Sequence, residues 1–417
     1  MNSTTIKGVA CADLHLGIDN VGGDNPDGLP YRVQDYLRNF GQAVDWAIKE
    51  PVDLFAFAGD LFKSRNPPQR ILAPVVEQFR RLQRAGIVVL IDQGNHEGDS
   101  TPGRANVIDT ITCYGDDYGI FGFNRPETRA IQLAGGKPCW VIAVPWARVK
   151  HLVAEAEGLP YDQLIAAANE ALHHDIALLG GLVVHDAWPT IFLGHLAFAG
   201  ADRASEQWMT MGYEPTITGA DLPPCDLAIL GHYHWGKVLQ APMPAFYCGS
   251  MARIDFGEEG QDKMFWSFEL DPSLPAGQRC TSLVPHLLDD RPFKTLHYTV
   301  VPSCPAESIN VGFQLFLGEN DVAGAVVRCR IDFATADQAA AFDQLAAERA
   351  LDAAGAWWVA GIERNAPQAD RRWEGADVAG APPAEILRAY LAQSEPDEQR
   401  RGRLQDEGLA LIGAGQQ

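Results

Sequence analysis

The 417-residue chain has eight cysteines, but no C-x-x-C pair and no zinc-finger spacing among them. A disulfide framework or a structural zinc site is therefore not expected. Long apolar runs are missing too. The longest are of strand length, far short of the roughly 20 residues that a membrane span needs. The opening Met1-Asn2-Ser3-Thr4-Thr5 leads straight into a strand-like segment. It carries neither the basic nor the apolar region of a secretory signal. These absences predict a soluble, cytoplasmic and reduced protein.

Positive charge is also scarce. There are 33 Lys and Arg against 54 Asp and Glu, a formal net charge of −21. Such a surface repels polyanions at long range. A protein that holds DNA alone by phosphate neutralisation should look basic. If the substrate is a nucleic acid, attraction must come from bound cations, a local basic patch or a partner. Composition alone favours a metabolic enzyme. The 47% hydrophobic and 21% charged residues are ordinary for a globular protein and exclude disorder throughout. The length suggests two or three domains.

What is present is an alternation of apolar strands and helical patterns. Ile6–Ala12, Leu54–Ala58, Ile87–Ile91, Cys139–Val144, Ile191–Leu193 and Leu227–Leu230 read as buried strands. Tyr31–Lys49, the segment after Asn66-Pro67-Pro68, and Tyr161–Leu179 read as helices with one apolar face. Continuous apolar strands between helices indicate an α/β sheet covered on both faces. After about Asp289 the pattern changes to a small α+β module. Its strands are predicted at Lys294–Val301, Val326–Ile331 and Ala356–Ile362, with one helix over Asp337–Ala353. The expected organisation is a first domain over residues 1–288, a capping domain over 289–365 and a linker over 366–383. A C-terminal helix and tail follow over 384–417.

The chemistry lies where the strands end. One runs into Asp13-Leu14-His15, a second into Gly59-Asp60 and a third into Gly94-Asn95-His96-Glu97. Two more run into Gly194-His195 and Gly231-His232-Tyr233-His234. In α/β sheets, sites gather beyond the carboxyl ends of strands, so these remote segments are expected to converge. Asp, His and Asn without thiolate suit a divalent metal such as manganese or iron more than structural zinc. Two carboxylates are too few for one tight calcium cage. They fit a two-metal site about 3.5–4 Å across with one carboxylate bridging. A pair of dications outweighs Asp13 and Asp60, and the surplus positive charge suits one hydroxide and one phosphodiester.

The order DxH…GD…GNHE…GH…GHxH resembles the calcineurin-like metallophosphoesterases. Within them it is most similar to the SbcD-type exonucleases of DNA double-strand-break repair. "DLHLG", "FAGDLFKSRNPP", "YCGSMARIDFGEE" and "RPFKTLHYTV" agree with that family in order. The resemblance covers residues 5–300 well and 300–395 loosely. It implies a sandwich of mixed sheets flanked by helices, followed by a small α+β cap and a C-terminal helix. Its implied metal ligands are Asp13, His15, Asp60 and His234 for one ion. For the other they are Asp60, Asn95, His195 and His232, with Asp60 shared. His96 would face the scissile phosphate, and Glu97 would orient His96.

The implied activity is manganese-dependent 3′–5′ exonuclease and single-strand endonuclease cleavage of DNA. The implied partners are an SbcC-type ATPase with a coiled coil, gripped by the C-terminal helix, and a second copy in a homodimer. Mg2+, Fe2+ and Zn2+ are the other candidate ions. The sequence departs from the family at Lys63, where a histidine is common; lysine contacts phosphate but shuttles protons less readily near neutral pH. Other readings stay open: a phosphodiesterase of small phosphoesters, or a DNA end-tethering protein with weak catalysis.

Other polar residues have plainer readings. His151, His173, His174, His185, His286 and His297 are expected to be ordinary surface or core histidines. His195 is preferred over His185 because it follows a strand and a glycine. Arg80, Arg81 and Arg84 oppose a helix macrodipole. Arg65 and Arg70 are better candidates for DNA contact. Cys11 is expected to be a buried small residue. Trp357 and Trp358 are expected to pack the cap. Ile386–Leu391 either docks on its own domain or grips a partner.

Overall fold

In the computed structural model, residues 4–26, 28–98, 106–112, 119–153, 159–184, 187–199, 214–367, 382–394 and 397–414 are described. The chain divides into two compact units. The first comprises Met1–Tyr298, Val311–Arg330 and Asp343–Glu363; the second comprises Thr299–Asn310, Ile331–Phe342 and Arg364–Gln417.

The first unit is built on two six-stranded sheets. In one, Ile6–Cys11, Leu54–Ala58, Val88–Asp92 and Ile120–Phe123 run parallel, and Met264–Leu270 and Cys280–Leu287 extend it antiparallel. In the other, Pro138–Val144, Thr190–His195, Leu227–Gly231 and Ala245–Tyr247 run parallel, with antiparallel edges at Glu127–Gln132 and Lys237–Val238.

The strand period explains the apolar runs. Along Leu54–Ala58, side chains alternate between two faces. Phe55 and Phe57 pack with Tyr36, Phe40 and Phe79 of the Arg32–Lys49 and Gln69–Arg84 helices. Leu54, Ala56 and Ala58 face inward onto Leu193, Leu227 and Ile229 of the second sheet. The outer face of the second sheet carries Phe192, Ala228 and Leu230 against Leu172 and Ile176 of the Tyr161–Gly181 helix. Each sheet is thus buried on both faces, one by helices and the other by its companion sheet. This differs from a single sheet with helices on both sides, and it matches the layered sandwich that the motif order implies. Small residues on the inner faces, such as Ala10, Ala56 and Ala58, let the sheets approach.

Beyond the sandwich, Phe293–Val300, Val326–Phe333 and Trp358–Asn365 form a three-stranded sheet. The helix expected over Asp337–Ala353 is two helices, Ala336–Ala341 and Gln344–Ala353. Phe342 is extended, and the Asp343 side chain then accepts from Ala346 N to cap a fresh start. Two further helices, Pro383–Ser394 and Glu398–Ala414, lie in the second unit. Most of the 366–383 segment read as a linker lies outside the described residues, as does His185. Among the described residues, no helix is long and apolar enough to cross a membrane.

Candidate metal centre

Five strand ends from both sheets converge at one edge of the sandwich. The chain turns sharply there. Asp13, His15, Asp60 and His232 have φ values of 52°, 48°, 56° and 103°. Non-glycine residues seldom adopt this left-handed region, and such strain gathers at functional sites. Backbone hydrogen bonds hold the turns in place. Asp13 N donates to Gly59 O at 3.0 Å, and His15 N donates to Asp60 O at 2.9 Å. Gly94 permits a close approach of two loops, since a Cβ there would lie 2.0 Å from Asp60 Oδ1.

Asp60 sits at the middle. Its Oδ1 accepts from His96 N at 2.9 Å. Its Oδ2 lies 3.4 Å from His195 Nε2, 3.7 Å from His15 Nε2 and 3.9 Å from His96 Nε2. Burial works against the Asp60 charge, but the neighbouring imidazoles of His195, His15 and His96 outweigh it and hold the carboxyl well below the usual range. Burial likewise opposes a charged His195, yet Asp60 and Asp13 push its pKa up to about 10.

Three overlapping groups of donor atoms result: Asp13, His15 and His234; His15, Asp60 and His96; and Asp13, Asp60 and His195. Within each group the donors lie within 4.8 Å of one another. Asn95 joins them through its Oδ1, 3.1 Å from His195 Nε2. His232 stands at the wall, its ring centroid 5.3 Å from that of His195 and 4.8 Å from that of Trp146. Its Nε2 meets Glu214 Oε2 at 3.0 Å, and its backbone N–H donates to Asp13. This set of carboxylate, amide and imidazole donors, with no thiolate, has the chemistry of a site for divalent ions of intermediate hardness.

His96 is placed differently from the other histidines. Its side chain is 25% exposed, while Asp13, His15, Asp60, His195 and His234 are buried. Its Nδ1 contacts Lys63 O at 3.0 Å. That carbonyl can only accept, so Nδ1 carries a proton and Nε2 faces the pocket.

Glu97 does not orient the His96 ring. Its carboxylate accepts from the backbone N–H groups of Phe62 at 2.7 Å, Gly94 at 3.0 Å and Asp60 at 3.2 Å. It ties two of the strand-end loops together. Burial, then the charge of Asp60, pushes its pKa up, and the backbone N–H groups of Phe62 and Gly94 oppose that by favouring the ionised form.

The outlying cations fall into two groups. Arg81 pairs with Asp45 at 2.5 Å and Arg84 with Glu77 at 2.8 Å on the helix surface. Lys63, half-exposed, pairs with Asp19 at 2.7 Å. With Arg70 it lines a cavity of about 220 Å³ beside the His15 and Asp60 loops. Trp357, expected to pack the cap, packs edge-on against Tyr31 of the 1–288 segment and under the Arg291 guanidinium. Trp358 is 40% exposed.

The family model for "Calcineurin-like phosphoesterase" matches residues 6–236, which hold every donor named above. The chain belongs to that family. Calcineurin-like phosphoesterases are phosphoester hydrolases with a dimetal site. Among curated relatives, the chain is 24% identical over 230 residues to the SbcD component of the nuclease SbcCD of Escherichia coli K12, covering 53% of this chain and 56% of that one. It is 39% identical over 240 residues to "DNA double-strand break repair protein Mre11" of Aeropyrum pernix, covering 57% and 51%. It is 32% identical over 277 residues to the metallophosphoesterase YhaO of Bacillus subtilis, covering 63% and 57%. The chain thus spans about half the length of these relatives.

Four residues at this calcineurin-like site were not legible in the sequence: Glu214, Glu258, Lys263 and Trp146. Glu258 and Lys263 lie in or just after the "DFGEE" stretch, whose match to a motif assigned them no role.

Proposed function

We propose that this protein is a two-metal DNA nuclease, a 3′–5′ double-strand exonuclease and single-strand endonuclease. It would work in DNA repair and recombination with an SbcC-type ATPase and as a homodimer. One ion would be held by Asp13, His15, Asp60 and His234. The other would be held by Asp60, Asn95, His195 and His232, and Mn2+ is the favoured ion. The observation that carries this reading is the position of Asp60 Oδ2, within 3.9 Å of three imidazole nitrogens from three separate segments. A carboxylate so placed has the environment of a shared ligand.

When bound, the ions supply Lewis-acid charge to the phosphoryl oxygens and lower the pKa of a nearby water. The chain's own residues do the rest. His96, partly exposed and fixed through its Nδ1–H, presents Nε2 to a substrate oxygen; with a second proton on Nε2 it can protonate the leaving group, returning to the neutral ring. Asp13 and Asp60 carry the compensating negative charge. Lys63 and Arg70, with Arg65 between them in sequence, offer a path for the phosphate backbone. That local path and the dications offset the repulsion expected from a net charge of −21. The names of the nuclease relatives support DNA as substrate. The exposed apolar residues Tyr390, Leu404 and Leu411 of the C-terminal helices suit a coiled-coil partner.

The acidic surface also favours a second reading, a phosphodiesterase acting on small phosphoesters. The two readings separate when turnover of linear duplex DNA and of a chromogenic phosphodiester is compared with Mn2+, with EDTA and with the His96→Ala variant. The nuclease reading expects DNA cleavage that stops with EDTA and is lost in His96→Ala. Robust DNA cleavage by His96→Ala, or turnover of the small diester alone, would refute it.

A further inference from the structure

Behind His234, on the side away from the pocket, lies a buried charged chain. His234 Nδ1 meets Glu258 Oε1 at 2.7 Å. Glu258 Oε2 meets Lys263 Nζ at 2.7 Å, with both side chains fully buried. Lys263 Nζ also donates to Ser250 Oγ at 2.7 Å and to His234 O at 3.2 Å. Glu258 Oε2 further accepts from Ile254 N at 3.0 Å. On its other edge, His234 Nε2 lies 3.0 Å from His15 Nε2 in the donor cluster.

Buried charges are costly unless they are paired and hydrogen-bonded, and these are both. Replacing the pair with apolar residues would often be neutral for stability. Fold stability alone therefore does not account for it, and a role toward His234 does. We propose that Glu258, held in place by Lys263, is a positioning residue that fixes His234 as the Nδ1–H tautomer with its Nε2 lone pair turned to the metal pocket.

The chemistry is specific to a carboxylate. An ionised carboxylate is acceptor-only, so the imidazole proton must sit on Nδ1. An amide at the same place offers either a carbonyl or an N–H. The N–H would accept the opposite tautomer, whose proton on Nε2 blocks metal ligation. A carboxylate on the far nitrogen also raises the basicity of the ligating one. Lys263 acts at one remove: its ammonium fixes which way the Glu258 carboxylate faces.

This inference rests on the two-metal reading, and its test keeps the two apart. Metal-stripped full-length protein is titrated with Mn2+ by calorimetry and with Co2+ by visible absorption. Wild type, Glu258→Gln and the double variant Glu258→Gln/Lys263→Met are compared, each with a thermal melt. Glu258→Gln is expected to weaken one of the two equivalents by about 10–100-fold, shift the Co2+ ligand-field bands and leave the other equivalent unchanged. The single variant also strands a buried ammonium, so its melt is expected to fall. The double variant removes that charge and is expected to recover the melt but not the affinity or the spectrum. Wild-type affinity and bands in Glu258→Gln would overturn the inference. So would recovery of both in the double variant, because Glu258 would then act through stability alone. A wild-type protein that takes up neither ion would overturn the two-metal reading, and this inference with it.

Discussion

The Nε2 atoms of His15 and His234 lie 3.0 Å apart, although 219 residues separate them along the chain. Glu258 holds the Nδ1 proton of His234, so the neutral ring presents a lone pair to His15. His15 can donate an Nε2 proton into that lone pair, whereas a bound cation takes a lone pair from both rings and ties the two loops together. Metal removal is therefore expected to weaken the fold at this point. Protein stripped with EDTA should melt lower, and the melt should climb with added Mn2+. An ion present at 100 times its Kd stabilises by about 2.7 kcal/mol. Differential scanning fluorimetry across a Mn2+ series reads this directly. A melting temperature indifferent to Mn2+ would count against ion binding here.

The reasons these two histidines could be found in the sequence are instructive. Each follows a short apolar run, and an apolar run bounded by glycine and polar residues marks a buried strand end. The same logic led to Asp13, Asp60, Asn95, His195 and His232. Their convergence required two sheets, whereas the apolar pattern specifies only that both faces of a strand are covered. It does not say by what. Glycines stand just before Asp60, Asn95, His195 and His232, but Asp13, His15, Asp60 and His232 themselves also take left-handed backbone. No side-chain pattern encodes that. Glu214 and Glu258 carried no local mark because they sit 18 and 24 residues from the histidines they meet. The Cys280–Leu287 strand was missed for a different reason. It lies at a sheet edge, half exposed, and lacks the apolar density that identifies interior strands.

Asp35 anchors the first helix to the loop that follows the sandwich. Arg32 Nη1 donates to its Oδ2 at 2.7 Å, and Arg291 grips both oxygens at 2.7 and 2.8 Å. Burial opposes the carboxylate, but the bonds and charges of Arg291 and Arg32 prevail and lower its pKa. Asp35→Ala would strand the fully buried Arg32 guanidinium, at a cost of about 3–5 kcal/mol. A carboxyl whose folded pKa is depressed contributes stability above its unfolded pKa and loses it as pH falls. The gap between wild type and variant in urea denaturation should therefore be full at pH 7 and narrow below about pH 4. A gap constant with pH would exclude the ion pair as its source.

Glu97 tests a different idea, that the carboxyl group next to His96 in sequence is structural. It satisfies three backbone donors from two loops. Glu97→Gln keeps one acceptor oxygen and turns an amide N–H toward the remaining donors. Leaving such buried groups unsatisfied costs about 1–3 kcal/mol each. The variant should lose stability measurably and turn over more slowly, since Asn95 and His96 ride on the same loop. If Glu97 instead acted only on the His96 ring, denaturation would be unchanged and the pH profile of turnover alone would move.

Lys63 separates groove from chemistry. Its side chain pairs at the surface with Asp19, an interaction worth little to stability. Its backbone carbonyl, not its side chain, holds His96 Nδ1. Lys63→Ala therefore removes the ammonium while keeping His96 in place. Turnover of a small chromogenic phosphodiester should stay near wild type. Binding of duplex DNA should weaken, and the slope of log K against log salt should fall by about 1, the loss of one phosphate contact. Fluorescence anisotropy across a salt series measures this beside the diester assay. Equal losses on both substrates would put the ammonium in the reaction itself, where the family commonly has a histidine. Unchanged DNA binding would move the path of the phosphate backbone away from the cavity that Lys63 shares with Arg70.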